Sequence, residues 1–158
     1  MARVPGRQVV TAQRKRVPAV EGWFTLDEAA PALLGVRCVA CETVVFPPRS
    51  GACPNPRCRG TELESHPLGR RGRIWSFSTN HYPPPEPYVA PDPFVPYTVA
   101  AVELAEERLV VLGQMAADVE PSELAVGDEV ELTLGTLFTD DDTEYVTWQW
   151  RPVAAVTA

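Results

Sequence analysis

Histidine is nearly missing from this chain: His66 and His81 are its only two, and all four cysteines fall between residues 38 and 58. Neither histidine lies in a recognisable nucleophile or metal motif, so His-assisted acid–base or nucleophilic chemistry has no frame to sit in. Gly-x-Ser-x-Gly, the phosphate loop and Gly-x-Gly-x-x-Gly are all absent. Gly69-Arg70-Arg71-Gly72-Arg73 carries glycines but precedes an expected strand, so it lacks the helix N-terminus of a phosphate cradle. The acidic run at Asp140-Asp141-Asp142 has no EF-hand spacing and reads as a turn. No apolar run approaches the roughly 18 residues of a membrane span. Met1 to Arg16 is basic and has no apolar h-region, so no secretory signal is expected and the cytoplasm is the expected location. Independent catalysis is not expected.

Lysine is also scarce, with Lys15 alone beside 13 arginines, whereas proline, at 17 residues, is about twice the usual share of ~5%. The 158 residues suit one domain or two small ones, and 45% hydrophobic with 22% charged residues is a globular composition. The net charge of −7 hides a division. Residues 1–73 carry 12 basic and 6 acidic side chains, a net of +6; residues 74–158 carry 2 basic and 15 acidic, a net of −13. Phosphate contacts need cations, so the acidic half argues against a nucleic-acid partner.

The cysteines form two short-spaced pairs, Cys38-Val-Ala-Cys41 and Cys53-Pro-Asn-Pro-Arg-Cys58. Such pairs on separate knuckles converge on one tetrahedral metal. Two disulfides are the alternative in a secreted protein, and iron in the rubredoxin manner is the alternative on chemistry, since four sulfurs suit both metals. Structural zinc is the favoured reading: a short segment cannot build a core alone, and a metal replaces it. Four thiolates leave no position for a reactive water. Glu42 stands where knuckles usually place glycine, and Pro54 and Pro56 stiffen the longer second knuckle.

Residues 1–22 lack periodicity and read as a tail or linker. Trp23 to Glu28 reads as a short helix, with Thr25 as N-cap and Glu28 three positions on. Residues 23–68 then form the helix and ribbon, and 69–154 a set of short strands. Gly72 to Ser78 alternates Arg73, Trp75 and Phe77 against Ile74, Ser76 and Ser78. Tyr97–Leu104, Leu109–Met115, Val130–Leu134 and Val146–Trp150 complete five strands, the number of a small closed OB-type barrel. The aromatics Trp75, Phe77, Tyr97, Trp148 and Trp150 read as core on these strands. The segment from His81 to Pro96 holds seven prolines with Tyr82, Tyr88 and Phe94; it is either a disordered excursion or an arm that lays aromatics on a partner.

The order Arg37-Cys38-Val-Ala-Cys41, Phe46-Pro47-Pro48-Arg49, the second cysteine pair, Gly69-x-x-Gly72-x-Ile74-x-Ser76-Phe77-Ser78, Pro96-Tyr97-x-Val99-Ala100 and Leu124-x-Val126-Gly127-Asp128 resembles one family. Its members combine a rubredoxin-like zinc ribbon with an OB-fold and were long classed as a domain of unknown function. The resemblance spans about Trp23 to Val153. It implies a mainly β protein: a rubredoxin-like ribbon with Cys38, Cys41, Cys53 and Cys58 around one structural zinc, then a five-stranded barrel.

The resemblance also implies an accessory subunit of a thiolase-superfamily enzyme acting on acyl-CoA thioesters. The nearest setting is the C-terminal module of a MaoC-like hydratase chain, partnered with a lipid-transfer-type aldolase that cleaves steroid side chains. That setting implies a two-plus-two hetero-oligomer whose acyl-CoA tunnel this chain helps to form, with Arg70, Arg71, Arg73, Tyr82, Tyr88 and Phe94 as candidate CoA or partner contacts. A thiolase or synthase outside steroid metabolism, or an iron redox carrier, are the alternatives.

Overall fold

The computed structural model describes residues 14–154. Leu34–Cys38 (β2), Val44–Val45 (β3) and Leu63–Pro67 (β4) make a three-stranded antiparallel sheet in the order β3-β2-β4. Its strands lead into and out of the cysteine knuckles. Arg37, on β2, binds Glu64 of the neighbouring β4 at 3.0 Å across the exposed face.

Arg71–Asn80 (β5), Tyr97–Leu104 (β6), Leu109–Met115 (β7), Glu129–Thr139 (β8) and Thr143–Pro152 (β9) form the barrel. Neighbours run β5-β6-β7-β9-β8, and β8 returns to β5 through Arg71↔Glu131, Gly72↔Val130 and Arg73↔Glu129. The one parallel seam among these five strands joins β7 to β9 at Gln114↔Gln149 and Met115↔Trp150. Closure removes the open edges that invite other strands. Period-2 alternation decides the interior: Thr98, Ala100, Val102 and Leu104 of β6 are buried, and the last three meet Ile74, Val111, Val130, Leu132, Val146 and Trp150 in one core.

Three details differ from the sequence reading. The helix at Trp23–Glu28 does not form. Thr25 instead pairs with Ala32, giving its backbone N–H to the Ala32 carbonyl (2.9 Å) and accepting the Ala32 N–H on Oγ1 (3.0 Å). Asp27 Oδ1 accepts the N–H groups of Ala29 and Ala30, which closes an Asx turn, and Pro31 is buried just beyond. The cap chemistry is real, but it closes a loop.

Within the segment read as a tail, Lys15–Pro18 is a strand (β1) lying parallel to Thr143–Val146 of β9. It covers the part of β9 that β7 does not reach. Residues 1–13 of that segment lie outside the described residues.

Finally, β5 carries a register shift between Ile74 and Ser76. An inserted residue of this kind breaks alternation. Phe77 therefore packs on the same core as Ile74, and Trp75, read as core, is 64% exposed.

Candidate metal centre and barrel mouth

The four cysteine Sγ atoms lie within 4.8 Å of one another. Cys38 and Cys58 are 3.9 Å apart, Cys41 and Cys53 3.5 Å. Sulfurs at ~2.3 Å from a tetrahedral metal are about 3.8 Å apart, whereas a disulfide needs ~2.05 Å. The spacing is that of a metal site, and all four residues are free cysteines.

The surroundings fit thiolates. Gly60 N–H donates to Cys58 Sγ (3.3 Å) and Asn55 Nδ2 to Cys41 Sγ (3.8 Å). The Thr43 hydroxyl lies 3.2 Å from Cys41 Sγ. Hydrogen bonding from Thr43 holds Cys41 well below an ordinary thiol, at about 6. At Cys53 the Asn55 backbone N–H pulls downward, but burial and the neighbouring thiols outweigh it and push the value up to about 12. Crowded sulfurs of this kind ionise together only when a cation joins them.

Two backbone features shape the cage. Glu42 has φ +58°, the left-handed turn that glycine takes without cost. A Cβ at Gly60 would lie 3.0 Å from Cys38 Sγ, so a side chain there would crowd the site. Four sulfurs close the coordination sphere, which makes the centre structural.

An aromatic knot ties the ribbon to the barrel. Trp148 of β9 meets Trp23, Phe24 and Phe46 at ring-centroid distances of 6.1, 5.6 and 5.9 Å, and its Nε1–H donates to the Leu112 carbonyl at 2.9 Å. Glu107, in the β6–β7 turn, accepts the Gly69 N–H at 2.6 Å where the chain passes from ribbon to barrel.

The candidate arginines occupy the outer barrel wall. Arg71 faces Glu129 (3.8 Å) and Glu131 (3.6 Å), and Arg73 faces Glu129 (3.9 Å) and donates to the Gly127 carbonyl (3.0 Å). Arg70 is exposed. This arrangement is a charge ladder between adjacent strands. Tyr82 is 78% exposed, apart from the aromatic pairs of the same loop. Tyr88 stacks on Tyr97 at 5.6 Å, and Phe94 meets Tyr97 edge-on at 6.3 Å. The structure thus brings Tyr88 and Phe94 together and leaves Tyr82 outside their group.

Behind Tyr88 lies a cavity of about 540 Å³ between the proline-rich loop and the end of the barrel. Gln149 and the Thr79–Thr98 hydroxyl pair (2.8 Å) line it from the strands; Tyr88, Val95 and Pro96 line it from the loop. Burial raises Tyr88 above an ordinary phenol, so it stays protonated. Sequence reasoning missed Gln149, because a polar residue alternating with Trp148 and Trp150, on the face of Tyr145 and Thr147, looks like an outward-facing position. It also missed Thr43, Asn55 and Gly60, whose short distances in sequence from the cysteines were the available signal.

Family models match both parts of the chain: the ChsH2 rubredoxin-like zinc ribbon domain over residues 28–64, and the ChsH2 C-terminal OB-fold domain over residues 65–135. A DUF35 domain-containing scaffold protein of Methanocaldococcus jannaschii is 34% identical over 135 residues, 84% of this chain and 87% of that one. The benzoylsuccinyl-CoA thiolase subunit BbsA of Thauera aromatica is 34% identical over 129 residues, 80% of this chain and 81% of that one. BbsA of Geobacter metallireducens is 32% identical, covering 81% of this chain and 80% of its own. Among solved structures, the Ltp2-ChsH2(DUF35) aldolase superposes with a TM-score of 0.56 at 27% identity, over 77% of this chain and 84% of that one. No helix among the described residues is long and apolar enough to cross a membrane. With a closed four-cysteine ribbon, a five-stranded barrel and relatives matched along most of its length, this chain belongs to the DUF35 family of zinc-ribbon and OB-fold proteins that includes ChsH2.

Proposed function

We propose that this chain is the non-catalytic accessory subunit of a cytoplasmic thiolase-superfamily enzyme that acts on acyl-CoA thioesters. The observation that carries the reading is the likeness along most of the chain to proteins described as subunits of such assemblies, a thiolase in one case and an aldolase in the other. A metal centre closed by four sulfurs supports it, because that centre stabilises the ribbon and leaves no position at which substrate is activated. In this reading the partner supplies the bond-breaking groups. The ribbon (23–68) and barrel (69–154) dock on it, with two copies of each subunit in the assembly, and the barrel with its proline-rich loop encloses part of the acyl-CoA tunnel.

The finer reading is retro-aldol cleavage of a steroid-CoA side chain with a lipid-transfer-type aldolase, supported by the likeness to the Ltp2-ChsH2(DUF35) aldolase. The second reading is a thiolase outside steroid metabolism. The BbsA relatives favour it, being more similar in sequence at 34% and 32% identity. The chemistry separates the two, since thiolysis consumes a free CoA thiol and retro-aldol cleavage does not. Co-expression with a thiolase-like protein from the same organism, size-exclusion chromatography and an acyl-CoA cleavage assay with and without added CoA test all of it. Co-elution with partner-dependent cleavage is the expected result. Separate elution, with full activity in the partner alone, refutes it.

Arg70, Arg71 and Arg73 serve this role as partner contacts in our reading, since carboxylates already flank Arg71 and Arg73. Reversing charge at Arg70 and Arg71 is expected to weaken partner binding and leave the KM for acyl-CoA unchanged. A raised KM with an intact complex would instead place CoA phosphates on these arginines.

A further inference from the structure

We propose that Thr43 and Asn55 form a latch between the two cysteine knuckles, one that holds the Cys41 thiolate on the metal and sets how slowly the ribbon gives that metal up. The four sulfurs are not held alike. Cys38 and Cys53 are buried, whereas Cys41 and Cys58 are half-buried. Cys58 Sγ takes a hydrogen bond from the backbone N–H of Gly60, just beyond its own knuckle. Among the described residues, Cys41 Sγ is the one sulfur with hydroxyl and amide side chains against it: Thr43 Oγ1 at 3.2 Å and Asn55 Nδ2 at 3.8 Å.

The two side chains are themselves linked. Asn55 Nδ2 donates to Thr43 Oγ1 at 3.3 Å. A hydroxyl that accepts from Asn55 keeps its own proton for the sulfur, and a metal-bound thiolate has no proton to offer in return. The Thr43 O–H therefore donates to Cys41. Both ends of the latch are fixed by the backbone. The Thr43 carbonyl accepts the Cys38 N–H at 3.0 Å, and the Asn55 carbonyl accepts the Cys58 N–H at 2.9 Å. Asn55 Oδ1 accepts the Arg57 N–H at 3.0 Å, which leaves Nδ2 to cross to the first knuckle.

The latch accounts for the length of the second knuckle. Cys38 and Cys41 enclose only Val39 and Ala40, which carry no polar side chain. Cys53 and Cys58 enclose Pro54, Asn55, Pro56 and Arg57. The longer loop makes room for a residue that reaches across, and the flanking prolines narrow the backbone conformations open to it. Partners of this kind orient a metal ligand and draw charge from it, and their removal costs roughly 10–100-fold in metal affinity. Thr43 and Asn55 are thus positioning residues that act on the metal through Cys41. Cys41 and Cys58 are the ligands that solvent reaches, and the latch guards the first of them.

The test uses the full chain loaded with zinc and, separately, with cobalt(II). Asn55→Asp keeps the acceptor for Arg57 and removes the amide donor. Thr43→Val keeps the side-chain shape and removes the hydroxyl, and Thr43→Ser restores it. Zinc transfer to a chromophoric chelator is expected to be about tenfold faster in Asn55→Asp and in Thr43→Val, and unchanged in Thr43→Ser. The double variant should be faster by less than the product of the two single effects, because Asn55 orients the Thr43 hydroxyl. In the cobalt form, the sulfur-to-metal charge-transfer band should move to longer wavelength in Asn55→Asp and Thr43→Val and stay in place in Thr43→Ser. A thiolate without its hydrogen bonds gives up an electron more readily, and a purely structural role for these side chains would not move the band. Release at the unmutated rate in both single variants, an unmoved band, or effects that multiply overturns the latch. If Asn55→Asp does not fold, Thr43→Val against Thr43→Ser decides the same question. All of these are read on the chain alone, so the result stands or falls apart from the proposed function.

Discussion

Replacing Trp148 by alanine removes the joint between ribbon and barrel. The indole meets three aromatic rings at 5.6–6.1 Å, and each such pair adds about 0.5–1.5 kcal/mol beyond its area. Its Nε1–H bond to the Leu112 carbonyl adds about 1 kcal/mol. The sum, about 2.5–5.5 kcal/mol, spans the ~3–5 kcal/mol cost of truncating a buried tryptophan, and the lower part, about 3 kcal/mol, suits a half-buried one. With a urea slope of about 2 kcal/mol/M, the unfolding midpoint falls by about 1.5 M. Trp148→Phe keeps a ring against Trp23 and Phe46 but loses the hydrogen bond, so its midpoint falls by about 0.5 M. Circular dichroism during urea titration of the zinc-loaded protein reads both. A shift below 0.5 M for Trp148→Ala would mean that ribbon and barrel are not held together by this cluster.

Glu42→Gly relieves a left-handed backbone at the first knuckle and is expected to raise stability by about 0.5–1 kcal/mol, read as a higher urea midpoint. An unchanged or lower midpoint would refute the strain. Arg151 lies 2.8 Å from Asp118 and holds its carboxyl below the ordinary 3.8. A depressed folded-state value stabilises above the unfolded value and loses that contribution as pH falls through the folded one. Asp118→Asn should thus be less stable than the unmutated chain at neutral pH, with the difference vanishing in acid; a pH-independent difference contradicts this. Chelation should release one zinc per chain, without visible absorbance. It should strip amide-exchange protection from β2, β3 and β4 before the barrel, because metal binding is folding energy for a segment this small. Persistent protection there, or the colour of iron, counts against the zinc-stapled ribbon.

The parts of the fold legible in sequence are those with strong local signals. Tyr97–Leu104 and Leu109–Met115 follow from apolar β-branched runs around an acidic turn, and the observed strands have those bounds. The cysteine pairs disclosed their cluster through spacing alone. What escaped was set by tertiary partners. Thr25 caps nothing because Ala32 pairs with it. Lys15–Pro18 carries no periodicity because β9, not its own pattern, orders it. Leu63–Pro67 is too polar to read as a strand until it lies beside β2. The bulge that exposes Trp75 leaves no mark in the alternation of residues. Gln149 alternates with Trp148 and Trp150 and so reads as outward-facing, yet it is buried with its amide beside Gly135.

The proposed function makes this chain one subunit of a thiolase-superfamily assembly. Co-expression with a thiolase-like protein from the same organism, followed by size-exclusion chromatography with light scattering and an acyl-CoA cleavage assay, is the deciding measurement. One peak holding both chains is expected, with cleavage that falls when this chain is withheld. Two separate peaks, with the partner fully active alone, would contradict it.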